Sequence, residues 1–121
     1  MSLPILKLGR ILVVTVQSSA TDDELIELGD RLPERAGELR SSGVVIDVGA
    51  LDVLDSFATR TLRTMADVLR LRGTDAVVVG IQPGVAFAMV RMGLAFDGLN
   101  TALDLEEGVA LLEDLRARKR R

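Results

Sequence analysis

Hydrophobic positions along the chain follow two spacings, and each spacing predicts a kind of element. Ile11-Leu12-Val13-Val14-Thr15-Val16 is an apolar, largely β-branched run, as expected of a strand covered on both faces and therefore central. Leu3 to Leu8 alternates more weakly, and the tight Gly9-Arg10 link predicts an opening β-hairpin. From Asp22 to about Arg40 the period changes. Leu25, Leu28, Leu32, Ala36 and Leu39 recur at three and four, which makes one apolar helical stripe. Thr21 or Asp22 can cap this helix, and Ser42-Gly43 ends it. Pro33 predicts a kink, because its ring crowds the carbonyl of residue 29 and it has no N–H to donate.

Val44 to Val48 predicts a third strand, and Ser56 to about Arg72 a second helix. Ala58, Leu62, Met65 and Leu69 line one face of that helix. Arg60, Arg63, Asp67 and Arg70 line another, and Gly73 stops it. Ala76 to Gly80 is a short apolar strand. Pro83 suits the first turn of a third helix that runs to about Met92 and ends at Gly93. Ala95 to Asn100 reads as loop and Thr101-Ala102-Leu103 as a brief edge strand. Asp104 and Glu107 have the spacing of a capping box, and Val109, Leu112 and Leu115 give the last helix its buried side. The order is ββαβαβα(β)α. It predicts an α/β fold: a single, mostly parallel sheet of four to five strands, an N-terminal hairpin, about four helices and right-handed crossovers.

Composition narrows the function classes. At 121 residues the chain reads as one domain over 1–121, and 48% hydrophobic content argues against disorder. A net charge of −3 gives no general electrostatic case for nucleic acid. No apolar run approaches the roughly 18 residues of a membrane span. No basic region followed by an apolar segment marks a signal peptide, so a cytoplasmic location is expected. The absence of Cys and His removes disulfides, thiol and imidazole catalysis, and zinc sites built on those residues. With no Trp or Tyr and three Phe, aromatic platforms for single-stranded nucleic acid are not expected.

The chemistry concentrates between Val44 and Arg60. An apolar strand with an internal Asp47 leads through a turn carrying Asp52 and Asp55 to Ser56 at the start of a helix. A hydroxyl there, beside unpaired N–H groups and the positive end of the helix dipole, can cap the helix or accept a phosphoryl group. Thr59, one turn on, is a weaker acceptor candidate. Asp47 reads as an acid bonded to neighbouring backbone, and Asp52 and Asp55 read as solvated acids rather than metal ligands. Gly80 to Gly84 lacks the Lys-Ser/Thr ending of a phosphate loop. Arg116, Arg118, Lys119, Arg120 and Arg121 complement the last helix's dipole, with binding of RNA or acidic lipid as the lesser reading.

This stretch resembles the phosphorylatable loop of STAS domains, the anti-sigma-factor antagonists of bacteria, with Asp47, Asp52, Asp55 and Ser56 in matching places. Leu3-Pro4-Ile5-Leu6-Lys7-Leu8, Gly80-Ile81-Gln82-Pro83, Thr101-Ala102-Leu103-Asp104-Leu105-Glu106 and Asp55-Ser56-Phe57 together resemble the short RsbS-type subunits of the stressosome, a cytoplasmic signalling assembly. The resemblance implies a single STAS domain without catalysis, cofactor or metal of its own. It implies phosphorylation at Ser56 and a partner-binding loop of Asp52, Asp55, Phe57, Thr59 and Arg60. The partners implied are a serine/threonine kinase of the anti-sigma type, a STAS co-antagonist with a sensor domain, a PP2C-type phosphatase and further copies in a large complex. Nucleic acid and membrane are not among them.

Rival classes remain. A receiver-like phosphoacceptor needs an acidic pair at an early strand end and a late Lys, whereas Asp22-Asp23 lie past their strand and the only lysines are Lys7 and Lys119. Another small α/β regulatory binding module would use the same loop without phosphorylation. A small α/β enzyme would need a base for Ser56, and no His, Cys or Lys lies near it in sequence.

Overall fold

The β-branched runs pair into one five-stranded sheet in a computed structural model that describes residues 3–94 and 98–119. The elements are β1 (Ile5–Leu8), β2 (Ile11–Thr15), α1 (Asp22–Glu38), β3 (Gly43–Asp47), α2 (Ser56–Leu71), β4 (Asp75–Val79), α3 (Pro83–Arg91), β5 (Asn100–Ala102) and α4 (Leu105–Lys119). Strands lie in the order β1-β2-β3-β4-β5. The hairpin pairs antiparallel, with Leu8 opposite Ile11, and every other pair is parallel. The centre of the sheet is therefore β3, and β2 stands one strand from the edge. The predicted loop at 95–100 falls partly on residues 95–97, which lie outside the described residues.

Side-chain alternation divides the core in two. Leu12, Val14, Val44, Ile46, Ala76 and Val78 face a layer of α1, α2 and α3. There they meet Leu28 and Leu32, Leu62 and Leu69, and Val85 and Met89. Ile11, Val45, Val77 and Val79 point the other way, towards Leu112 of α4. Two glycines bring α4 close. A Cβ on Gly108 would stand 2.7 Å from Val79 Cγ1, and one on Gly43 would stand 2.9 Å from Leu112 Cδ1. α4 packs on β3, β4 and β5 and reaches Ile11 of β2, while Leu6 and Leu8 of β1, on the same face, stand exposed.

Helix ends follow local chemistry. Thr21 caps α1 in a reciprocal box with Glu24: the hydroxyl accepts from Glu24 N–H and the carboxylate accepts from Thr21 N–H. Pro33 stands inside α1, which remains one 17-residue helix. Its end differs from the expected Ser42-Gly43. Arg40 takes the left-handed conformation (φ 50°) and Ser41 N–H reaches back to Ala36 O at 2.9 Å, so the helix stops before Gly43, which opens β3. Gly73 and Gly93 act as predicted, with positive φ and backward bonds from Thr74 to Leu69 and from Leu94 to Met89. Asp104 Oδ1 accepts from Glu107 N–H at 2.9 Å.

The parallel topology places every helix start at one end of the sheet. Asp22, Asp23, Glu24, Asp55, Asp104, Glu106 and Glu107 gather at that end. The last turns carry Arg35, Arg70, Arg91, Arg116, Arg118 and Lys119 towards the other.

Candidate functional site

The turn after β3 is held from several sides. Val48 N–H donates to Val79 O at 3.0 Å, and Leu54 is buried under the loop. Asp47 Oδ1 accepts from Gly49 N–H at 2.8 Å, so this carboxylate organises its own turn, as an acid bonded to neighbouring backbone does. Gln82, just before α3, donates from Nε2 to Gly49 O at 2.8 Å. The two loops touch at glycines: a Cβ on Gly80 (φ +81°) would lie 3.2 Å from Gly49 Cα and 3.0 Å from Asp47 Oδ1. Only a residue tolerant of positive φ, with no side chain, fits that contact without displacing the loop.

From this base the chain enters α2. Asp55 is the N-cap: its Oδ1 accepts from Ala58 N–H at 2.8 Å and its carbonyl accepts from Thr59 N–H at 3.0 Å. Ser56 is thus the first helical residue and not the cap, which corrects one of the two uses foreseen for it. Its side chain is exposed. Arg60, one turn on and also exposed, donates from Nε to Ser56 O at 3.3 Å, which holds a cation within a turn of the hydroxyl.

The other predicted loop residues separate. Asp52 and Asp55 are exposed beside Ser56. Phe57 is half-buried and lines, with Ile26, Met65, Val68 and Arg60, a groove of about 390 Å³ between α1 and α2. Thr59 departs from expectation. At 2% exposure it lies beneath the helix and not on the partner surface, and its Oγ1 has no hydrogen-bond partner. Neither an incoming phosphoryl donor nor a docked protein reaches it in this conformation. Periodicity carried the signal for this, since Thr59 follows the buried Ala58 and precedes the buried Leu62 by one turn.

Two features escaped sequence reasoning. Val53 is 72% exposed at the loop tip between Asp52 and Ser56. On the neighbouring α3, Phe87 and Val90 also face outwards. Among the described residues no group of three or more His, Cys, Asp or Glu is placed to hold a metal ion. Lys119 Nζ pairs with Asp75 Oδ2 at 2.8 Å at the start of β4, the end of the sheet opposite Ser56, which removes the late-lysine geometry of a receiver-like site. No helix among the described residues is long and apolar enough to cross a membrane.

Comparison with known proteins agrees with this architecture. The STAS domain family matches residues 3–108. A solved structure of a Ser-to-Glu variant of RsbS from Moorella thermoacetica is 35% identical, with a TM-score of 0.81 over 95% of this chain and 97% of that one. A chain from a structure titled as the molecular architecture of the stressosome, a signal integration and transduction hub, is 36% identical. It has a TM-score of 0.79 over 93% of this chain and 98% of its own. The RsbT co-antagonist protein RsbRC of Bacillus subtilis is 31% identical over 74 residues, which span 61% of this chain but only 26% of RsbRC. The chain belongs to the STAS domain family and has the STAS fold.

Proposed function

We propose that this STAS domain is a scaffold and antagonist of the stressosome type, which holds a serine kinase of the anti-sigma type and releases it when Ser56 is phosphorylated. The observation that carries the reading is the division between Asp55 and Ser56. The acid caps α2, and the hydroxyl beside it stands exposed and is not needed for the cap. Similarity to RsbS and to a stressosome chain supports the assembly role, and similarity to an RsbT co-antagonist of B. subtilis supports the antagonist role.

The chain acts as substrate. The kinase brings ATP and Mg²⁺, the γ-phosphoryl group passes to Ser56 Oγ, the hydroxyl proton passes to a base on the kinase, and ADP leaves. The product adds about −1.5 to −2 charges at pH 7. It does so beside Asp52 and Asp55, with the helix N-terminus and Arg60 offsetting part of that charge. A surface already acidic becomes more so without loss of the cap, so recognition changes more than the fold. A PP2C-type phosphatase hydrolyses the ester and restores the hydroxyl. No catalysis by this chain is invoked: it has no His or Cys, and its two lysines are Lys7 on the edge strand and Lys119 at the far end.

The test is mass spectrometry of the protein after incubation with the cognate kinase and ATP. Modification at Ser56, absent in Ser56→Ala with kinase binding retained, is expected, and Ser56→Asp should weaken kinase binding. Modification found only outside residues 52–60 overturns the assignment. An acyl phosphate, recognised by its lability to hydroxylamine, would establish the receiver-like rival.

A further inference from the structure

We propose that Arg60 reports the state of Ser56 to the docked kinase. A phosphoryl group on Ser56 takes the Arg60 guanidinium for itself and withdraws it from the groove between α1 and α2, where it meets a carboxylate of the kinase. The inference rests on the kinase-release reading above and names the contact that the modification breaks.

Position makes the exchange possible. Ser56 and Arg60 stand four residues apart in α2 and share one side of the helix, with about 5–6 Å between Cβ atoms at that spacing. Both are exposed. Arg60 Nε already leans back along the helix to Ser56 O at 3.3 Å. That bond is long, lies in solvent and goes to a carbonyl that the helix itself serves, so little holds the side chain there. A phosphate on Ser56 Oγ offers the same guanidinium a dianion within reach. Arginine takes phosphate through paired, charge-assisted bonds about twice as strong as neutral ones. From Asp47 to Thr61 the sequence carries Asp47, Asp52 and Asp55 against a single cation, Arg60. The helix N-terminus favours the phosphate, Asp52 and Asp55 oppose it, and Arg60 is the cation of that segment able to answer it.

The other end of the exchange is the groove. Phe57, Ile26, Met65 and Val68 give it apolar walls, and the charged side chains that line it are Arg60 and Asp30. In the unmodified chain these two charges balance. A kinase surface that presents an apolar side chain and a carboxylate finds a trough and a counter-ion beside the acceptor hydroxyl. Once Arg60 turns to the phosphate, Asp30 alone sets the sign of the groove and the same carboxylate is repelled. The acids around the loop sharpen the choice, because they disfavour a carboxylate placed anywhere but at Arg60.

The test compares chains with serine and with genetically encoded phosphoserine at position 56, so that it does not depend on the kinase's own activity. Binding of the cognate kinase is titrated with a non-hydrolysable ATP analogue. Phosphoserine should weaken binding to the otherwise wild-type chain by at least about tenfold. Arg60→Gln should weaken binding of the unmodified chain by about tenfold and leave a further loss of only about threefold on phosphorylation. Arg60→Lys, which keeps the charge, should recover much of the unmodified binding. Arg60 is exposed, so folding should survive, which circular dichroism would verify. Without any kinase, the phosphoserine ³¹P resonance should titrate at lower pH in the wild-type chain than in Arg60→Gln. Equal titration midpoints, or an Arg60→Gln chain that loses as much binding on phosphorylation as wild type, overturns the role of Arg60 and leaves kinase release standing. Phosphoserine that leaves wild-type binding unchanged sinks both.

Discussion

Gln82 Nε2 donates a 2.8 Å hydrogen bond to Gly49 O, and this bond fastens the residue before α3 to the loop that leads to Ser56. The loop is thereby braced from a neighbouring element as well as from its own strand. Gln82→Ala removes the brace without touching the sheet. It should cost about 0.5–1.5 kcal/mol, the usual net worth of one hydrogen bond. Amide exchange in residues 49–55 should quicken while β3 stays protected. Unchanged exchange in the loop would mean that the bond does not restrain it.

Asp55 and Ser56 should separate in their effects on stability. Asp55→Ala loses the cap of α2 and should cost about 1 kcal/mol by denaturant unfolding. Ser56→Ala, at an exposed first-turn position, should stay within about 0.5 kcal/mol of wild type. Equal losses in the two variants would show that the hydroxyl shares the capping role.

Gly108 lets α4 approach β4 so closely that an added Cβ meets Val79 Cγ1 at 2.7 Å. Gly108→Ala gains about 1 kcal/mol in helix propensity and loses about 1–3 kcal/mol to overpacking, so a net loss is expected. Val79→Ala should cost less in the Gly108→Ala background than alone, because it removes the offending methyl. Additive losses in that double-mutant cycle would place the strain elsewhere.

Thr59 holds a buried hydroxyl without a partner. Valine has nearly the same shape and no polar group to desolvate. Thr59→Val should therefore be as stable as wild type or more so, by up to about 1–3 kcal/mol. A clear destabilisation would reveal a bonded hydroxyl. Phosphorylation at Ser56 should proceed unchanged in this variant.

Acid should loosen α1 through Glu24. The Thr21 N–H held by its carboxylate lowers the Glu24 pKa below the ordinary 4.5. A depressed folded-state pKa contributes stability that is present above the unfolded value and lost as pH falls through the folded one. The urea-midpoint difference between wild type and Glu24→Gln should thus be present at pH 7 and shrink as the pH drops below 4.5. A difference constant with pH would assign the effect to packing rather than charge.

Much of this molecule was legible in its residues because its punctuation is local. Gly73, Gly93, Pro83, Thr21 and Asp104 each act within a few residues of where they stand, and the helices they bound appear as expected. The end of α1 was harder. Arg40 adopts a left-handed conformation that nothing in an arginine advertises, so the nearby glycine drew the assignment instead. Gly43 and Gly108 serve contacts between distant segments, and no local pattern announces such a need. At the site, the strand–turn–Ser pattern located the exposed hydroxyl, but Asp55 and Ser56 are both acceptable caps and only geometry assigns the role. The brace from Gln82 crosses 33 residues of chain and leaves no trace in spacing.

The gathering of acids where helices begin and of cations where they end makes the whole body an electric dipole whose negative pole is the end that carries Ser56. A visitor with a positive face would be turned towards that pole before it arrives, over distances of about 10 Å at 0.1 M ionic strength. Encounter rates at this end should then fall as salt is added.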